Sequence, residues 1–368
     1  MKNKFFGLSI LCLLLLVSCG RNEHSTTVGV LFPLTGDIAV YGNAIRDGIL
    51  LAHEESDIKN QIRLIIEDDR GDTRTAMTIF NSLLLRNADI IIGGGMSSVA
   101  AALAPLAQQE RIPMLSPTAS LPSLTHSGEY FFRIWSSDNY EGRIIADYIA
   151  NVVQARTAAL LYVNLDYGVG IRDVFTKEFE EKGGQVVFNE GYEPGATDFR
   201  TQLVRIRNSN PDVLFIPGYF QEVANILRQA KELNLNVQIF GISSLYDERI
   251  IQLAGEQAEG IIFTYPMYDS NSGDEIIQTF VRNFSDRFGN RPSAFAAHGY
   301  DAMKVVEHAI KQLKEKKEPI TKESLRNEIS KIRDFNGVSG KFSFDENGDV
   351  IKSMRFMTVR NGEFVTIE

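Results

Sequence analysis

Between Ala88 and Ser120 the chain sets out glycines and hydroxyls in an order suited to holding a small anion. Ile90, Ile91 and Ile92 run into Gly93, Gly94 and Gly95, then Met96, Ser97 and Ser98; the segment closes on Pro117, Thr118, Ala119 and Ser120. Three glycines permit a tight turn and close approach of another group to the backbone. Ser97 and Ser98 stand where a helix over 99–109 would start, and the first N–H groups of a helix lack intrahelical acceptors and favour negative charge. Thr118 and Ser120 follow a second short apolar run at 112–115, which brings another hydroxyl and more free backbone groups to the same edge. The other reading is that the serines only cap a helix and the glycines only turn the chain.

The elements that must position these residues follow from periodicity. An unbroken apolar run that ends in glycines, such as 90–92, fits a parallel strand covered on both faces. Strand patterns at 27–32 and 62–67 alternate with helical spacing at 41–55 and 72–86, and the alternation continues through 112–115 to a strand at 131–135 and a helix over 139–153. It then restarts, with strands at 158–163, 185–189, 213–217 and 237–241 and helices at 170–182, 198–208 and 221–233. Such alternation predicts doubly wound parallel sheets, here two of them. Beyond a strand at 260–265 come three helical patterns, 274–288, 300–313 and 322–332, with no strand between them. Runs at 341–344 and 354–359 flank Asp345-Glu346-Asn347-Gly348-Asp349, where Asn-Gly predicts a hairpin turn. Helices that return after the second unit imply more than one passage between lobes, placed near Asp138, Pro266 and Gly348.

Composition bounds the function. The net charge of −9 would become −11 once Lys2 and Lys4 were removed with a signal, which argues against a nucleic-acid partner and against broad electrostatic binding to membranes. Lys2 and Lys4 precede an apolar run over 5–17, the pattern of a secretory signal rather than a membrane span. Cys12 and Cys19 are the only cysteines, so no disulfide, zinc site or thiol nucleophile is expected in the mature chain. About 350 remaining residues are enough for two domains, each with its own core.

Other signals resolve into ordinary structure. Glu67, Asp68, Asp69 and Asp72 read as a loop capping the next helix rather than a metal set. Asp345, Asn347 and Asp349 open like a calcium loop, but Phe356 stands where its twelfth-position glutamate belongs. Gly337 to Lys341 has two residues between its glycines where a phosphate loop needs four, and Phe342 follows the lysine. Gly95-Met96-Ser97-Ser98-Val99 lacks the second glycine of a nucleophile elbow. His24, His53, His126, His298 and His308 are scattered. No cofactor is expected.

Leu16-Val17-Ser18-Cys19 resembles the lipobox of bacterial lipoproteins, which implies cleavage before an acylated Cys19. Almost all of 28–368 resembles the type I periplasmic binding proteins of the leucine/isoleucine/valine-binding kind. The resemblance rests on an ordered set: Thr35-Gly36 with Tyr41-Gly42, Glu67-Asp68-Asp69, Ile92-Gly93 with Ser97-Ser98, Pro117-Thr118-Ala119-Ser120, Asp166-Tyr167-Gly168, Pro217-Gly218-Tyr219, Ile226-Leu227-Arg228-Gln229-Ala230 and Ala258-Glu259-Gly260. It implies two α/β lobes joined by a three-strand hinge: a signal at 1–18, a lipidated tether at 19–26, one lobe from 27–138 with 266–347, and a second from 139–265 with 348–368.

The same resemblance implies a non-enzymatic role in the cell envelope. The chain would trap an amino acid or similar small polar solute between closing lobes and deliver it to an ABC permease; the alternative is a sensing module for a small amide, urea or carboxylate with a signalling partner. Ser97 would give its hydroxyl to the ligand carboxylate, Thr118 its carbonyl to the ammonium, and Ser120 its hydroxyl and N–H. Tyr167 and Tyr219 would arrive from the second lobe, while Tyr41, Met96 and Phe295 would line the side-chain pocket. The family places an acid after the strand that here ends at Gly241, where this chain has Ser243 and Ser244. Either Thr118 and the ligand's own carboxylate suffice, or Asp247, Glu248 or Asp166 substitutes, or the ligand is not an α-amino acid.

Overall fold

The computed structural model describes residues 25–266 and 268–367; the signal and Cys19 lie outside them. The first strand, β1 (Thr26–Phe32), is buried along its whole length, as a β-branched run must be when helices cover both faces of a parallel sheet. It is followed by α1 (Ala39–Glu54), β2 (Ile62–Asp68), α2 (Thr73–Leu85), β3 (Ile90–Gly93), α3 (Ser97–Gln109), β4 (Met114–Ser116) and β5 (Phe131–Arg133). These strands form one parallel sheet in the order β2-β1-β3-β4-β5.

The second sheet follows α4 (Asp138–Asp147), which continues as a π-helical turn, Tyr148–Val152. Next come β6 (Thr157–Val163), α5 (Asp166–Glu181), β7 (Gln185–Tyr192), α6 (Arg200–Ser209), β8 (Val213–Phe215), α7 (Phe220–Glu232), β9 (Gln238–Gly241), α8 (Glu248–Ala254) and β10 (Ile262–Pro266). After α9 (Glu275–Phe288), α10 (Ala294–Glu315) and α11 (Lys322–Ser330), a short hairpin is made by β11 (Phe335–Gly337) and β12 (Gly340–Phe342); β13 (Met354–Arg360) and β14 (Glu363–Ile367) end the described chain. Sheet order is β14-β13-β10-β9-β8-β6-β7, parallel from β10 to β7 and antiparallel at β13 and β14. The protein is therefore two α/β lobes. Because α10 packs along α1, the chain passes between lobes three times: after β5, after β10 and after β12.

Two expectations give way here. Asn347-Gly348 does turn the chain, with Gly348 at φ +76 and Asp345 Oδ1 accepting the N–H groups of Asn347 (2.8 Å) and Asp349 (2.9 Å). It closes no hairpin, since β12 pairs with β11 and β13 with β10 and β14. A side chain at Gly348 would meet the Phe131 carbonyl at 2.4 Å, so the turn is fitted against β5 at the lobe boundary. The other difference is α10, which begins six residues before the apolar spacing shows it. Ser293 caps it by accepting the Ala296 N–H. The alanines of its first turn give no strong periodic signal, yet they allow α1 to approach so closely that a Cβ on Gly48 would sit 2.0 Å from the Ala296 carbonyl.

The passages are tied to each other. Arg133, with no exposed surface, donates to Asp349 through Nε (2.6 Å) and Nη2 (2.7 Å), to the Leu121 carbonyl and to the Thr125 hydroxyl. Ser136 Oγ donates to the Lys352 carbonyl at 3.1 Å and accepts its N–H at 2.8 Å. The Lys352 ammonium is buried against Phe342 and donates to Ser339 Oγ at 2.6 Å. Burial lowers its pKa to about 8, against the pull of Asp301.

Candidate functional site

The parallel strands of both lobes point their carboxyl ends at one cleft, the edge where open α/β sheets bind ligands. At the end of β3 the chain turns at Gly94, φ +67, and starts α3 directly. Met96 is the residue flanking the helix and Ser97 is its first, so Ser97 does not cap the helix. Its oxygen instead accepts the backbone N–H groups of Ser120 (3.2 Å) and Leu121 (3.3 Å) from the loop after β4. A hydroxyl whose oxygen is engaged twice still has its proton to donate. The expected Ser120 N–H is thus committed to Ser97 rather than free for a ligand. Thr118 donates its hydroxyl to the Gly95 carbonyl (2.9 Å), and Ser116 Oγ donates to Gly94 (2.9 Å) and accepts the Ala119 N–H (3.0 Å). The two turns are locked into one wall.

All nine positions singled out from the sequence line one cavity of about 50 Å³: Tyr41, Met96, Ser97, Thr118, Ser120, Tyr167, Tyr219, Ser243 and Phe295. That is several times the roughly 10–15 Å³ needed for one water. An aromatic wall runs across it from lobe to lobe. Trp135 stacks on Phe295 (5.3 Å between centroids), Phe295 meets Tyr41 (4.9 Å), Tyr41 meets Tyr219 (5.8 Å), and Tyr219 stacks on Tyr167 (5.8 Å). The lobes touch across the cavity: Tyr41 donates to the Ser244 carbonyl at 3.0 Å, the Tyr219 hydroxyl lies 4.0 Å from Met96 Sδ, and Gln221 Nε2 donates to the Asp37 carbonyl at 2.8 Å. Trp135, the last residue of the strand pattern at 131–135, was not assigned to the site from sequence, whereas Ser244 was named there beside Ser243; both line the cavity.

The three acids considered as substitutes for residue 243 do not line the cavity. Asp247 caps α8 and is paired with Arg249 at 2.9 Å, while Asp166 and Glu248 are exposed. Two other carboxylates lie behind the wall. Asp138 and Glu141, three residues apart in the first turn of α4, are both wholly buried. The Asp138 N–H donates to the Ser120 carbonyl at 2.7 Å. Glu141 Oε1 accepts the Ser243 N–H at 3.2 Å and the Thr264 hydroxyl. By distance and geometry neither Asp138 oxygen nor Glu141 Oε2 has a hydrogen-bond partner, although the Ser120 side chain stands close enough to Asp138 to pull its pKa down against burial. Burial raises the pKa of both, and the Glu141 charge raises that of Asp138 further. The sequence carries a signal for them: on a helix whose buried face includes Gly142, Ile145 and Ala146, positions 138 and 141 fall on the apolar side.

Comparison with known proteins is consistent with this geometry. The sequence profile of the periplasmic binding protein family matches residues 25–363. The leucine-, isoleucine-, valine-, threonine-, and alanine-binding protein of Pseudomonas aeruginosa is 27% identical over 326 residues, covering 86% of this chain and 85% of its own. The Leu/Ile/Val-binding protein of Escherichia coli K12 is 26% identical over 347 residues, 92% of each chain. Among solved structures, the leucine binding protein LivK of Thermotoga maritima aligns with a TM-score of 0.87 at 30% identity, over 93% of this chain and 98% of that one. The substrate binding protein LivJ of Streptococcus pneumoniae, in complex with isoleucine, aligns at 0.83 and 27% identity, over 93% and 99%. A cleft between two parallel-sheet lobes, lined from both sides and matched along the described chain, places this protein in the periplasmic binding protein family.

Proposed function

We propose that the chain is the extracytoplasmic substrate-binding component of an ABC importer for a branched-chain or related amino acid, with no catalytic activity of its own. The observation that carries this reading is the convergence of residues from both lobes on one small cavity, with the Ser97 hydroxyl proton available at a helix start. A buried carboxylate needs several charge-assisted donors, and a helix start with an adjacent hydroxyl offers them. The Thr118 carbonyl is the acceptor assigned to the ligand ammonium, and the aromatic wall with Met96 takes its apolar side chain. Thiol chemistry has no place in this reading, because Cys12 leaves with the signal and Cys19 bears the lipid. The sequence up to Cys19 supports attachment there, and Cys19→Ala should move the protein from the membrane to the soluble fraction in cell fractionation.

A thermal-shift screen of refolded, ligand-stripped protein tests the substrate class. Leucine, isoleucine, valine, alanine and threonine would be set against their deaminated acids and amides. A ligand at about 100 times its dissociation constant adds roughly 2.7 kcal/mol, enough to move the melting point of a protein this size by several degrees. Shifts with the amino acids and none with the deaminated acids are expected. The converse pattern would replace the amino-acid reading with a carboxylate or amide cargo.

A further inference from the structure

Two wholly buried carboxylates sit one helical turn apart behind the cleft, with three of their four oxygens unpartnered. Buried polar groups are ordinarily satisfied, and each exception needs an explanation. Among the described residues no cation supplies one: Arg133, which acts on Asp138 from β5, spends its guanidinium on Asp349, Leu121 and Thr125. The groups facing the pair from the packed elements are otherwise neutral. They are Ser120 after β4, Ser243 after β9, Thr264 on β10, and the phenols of Tyr167 on α5 and Tyr219 before α7. Burial first, then nearby acids, raises both phenols above the ordinary tyrosine value, so neither ionises near neutral pH. Of these groups Ser120, Ser243, Tyr167 and Tyr219 also line the cavity. The unmatched negative charge is therefore presented to the cleft and to little else.

Resting on the reading of the cleft as an amino-acid site, we propose that Glu141, paired with Asp138, is a specificity-determining residue: the carboxylate pair selects solutes that place an ammonium against the wall formed by Ser120 and Ser243, and admits them in exchange for a proton. The exchange balances without any covalent change. In the empty cleft the pair keeps a proton in place of a counter-ion; the ammonium brings its own charge, and the displaced proton leaves to solvent. The same arrangement disfavours solutes that lack a cation there, because they close the cleft over a pair whose remaining negative charge has no counter-ion.

Glu141→Gln is the informative variant. The glutamine carbonyl can still accept from Ser243 and Thr264, so the local hydrogen bonds survive while the charge is lost. Removing an unmatched buried charge should raise the melting point of the empty protein, which separates a binding defect from a folding defect. Calorimetric titration of the unmutated protein and the variant would use leucine, 4-methylpentanoate, which lacks the ammonium, and 3-methylbutylamine, which lacks the carboxylate. Each would be run in two buffers of different ionisation enthalpy, so that protons released per ligand are measured directly. We expect leucine to release up to one proton from the unmutated protein, and Glu141→Gln to lose about 30-fold or more in leucine affinity together with that release. Equal leucine affinity in both proteins with no buffer dependence would overturn the role of Glu141 and leave the amino-acid reading standing. If the amine binds, leucine does not, and Glu141→Gln abolishes the binding, the cation site stands and the amino-acid reading falls. If only the deaminated acid binds, indifferent to Glu141→Gln, both fall.

Discussion

At Ser97 one hydroxyl serves two purposes, because its oxygen accepts the N–H groups of Ser120 and Leu121 while its proton is left to donate at a residue that lines the cavity. Ser97→Ala should weaken binding of the cognate amino acid by about 1.5–3 kcal/mol, the range for a hydrogen bond to a charged group. It should also lower the stability of the empty protein by about 1–3 kcal/mol, since two largely buried donors lose their acceptor. Titration calorimetry and urea unfolding on the same variant check both; an unchanged unfolding midpoint would mean that the loop after β4 does not depend on this hydroxyl. The buried acids make a prediction of opposite kind. Their folded-state pKa values lie above the ordinary carboxylate values, so the folded protein binds more protons than the unfolded chain from the ordinary carboxylate range upward. The empty protein should then lose stability as pH rises through that window, and Glu141→Gln should flatten the slope in melting curves taken across it. Sequence spacing was enough to bring Ser97, Thr118 and Ser120 to one sheet edge, where all three line the cavity, because hydroxyls that follow neighbouring parallel strands gather at the strands' carboxyl ends. Asp138 and Glu141 escaped because an acid in the first turn of a helix is read as solvated, and only the buried face of α4 says otherwise.

At the scale of elements, strand and helix alternation was legible almost throughout, since period-two and period-3.6 patterns survive whatever the lobes do with them. What periodicity could not give was which sheet a strand joins. Asn347-Gly348 carries the local chemistry of a hairpin, yet its flanking strands pair elsewhere because the turn must lead from one lobe to the other. Arg133 and Asp349 show what fixes that passage. The guanidinium on β5 is wholly buried and held by both carboxylate oxygens of Asp349, with Thr125 donating to the same carboxylate at 2.7 Å. Breaking such a pair by removing one partner leaves a buried charge uncompensated. Asp349→Ala should therefore destabilise the protein by about 3–5 kcal/mol in urea unfolding. A loss below about 1 kcal/mol would mean that water reaches the guanidinium and that the passage is held by other contacts.

For the whole molecule, function depends on the difference between an open and a closed cleft, and a ligand can favour closure only by binding the closed form better. The described structure has the lobes in contact, and the contacts that close it are unequal. Gln221 to the Asp37 carbonyl is an exposed hydrogen bond at the rim. Tyr219 is largely buried between Tyr41 on one lobe and Tyr167 on its own, with its hydroxyl beside Met96. A buried aromatic contributes through area and ring contacts together, and truncating one costs about 3–5 kcal/mol in well-packed interiors; an exposed hydrogen bond is worth about 0.5–1.5 kcal/mol. Tyr219→Ala should accordingly abolish most ligand-induced compaction in small-angle scattering and weaken binding by far more than Gln221→Ala, although neither changes a donor to the ligand carboxylate. Because Tyr219 precedes α7 at the edge of its lobe, its loss should leave the unfolding of the empty protein much less affected than ligand affinity. If Tyr219→Ala compacts with ligand as fully as the unmutated protein, closure is driven by the ligand's own contacts with both lobes, and the aromatic wall merely fills the space around it.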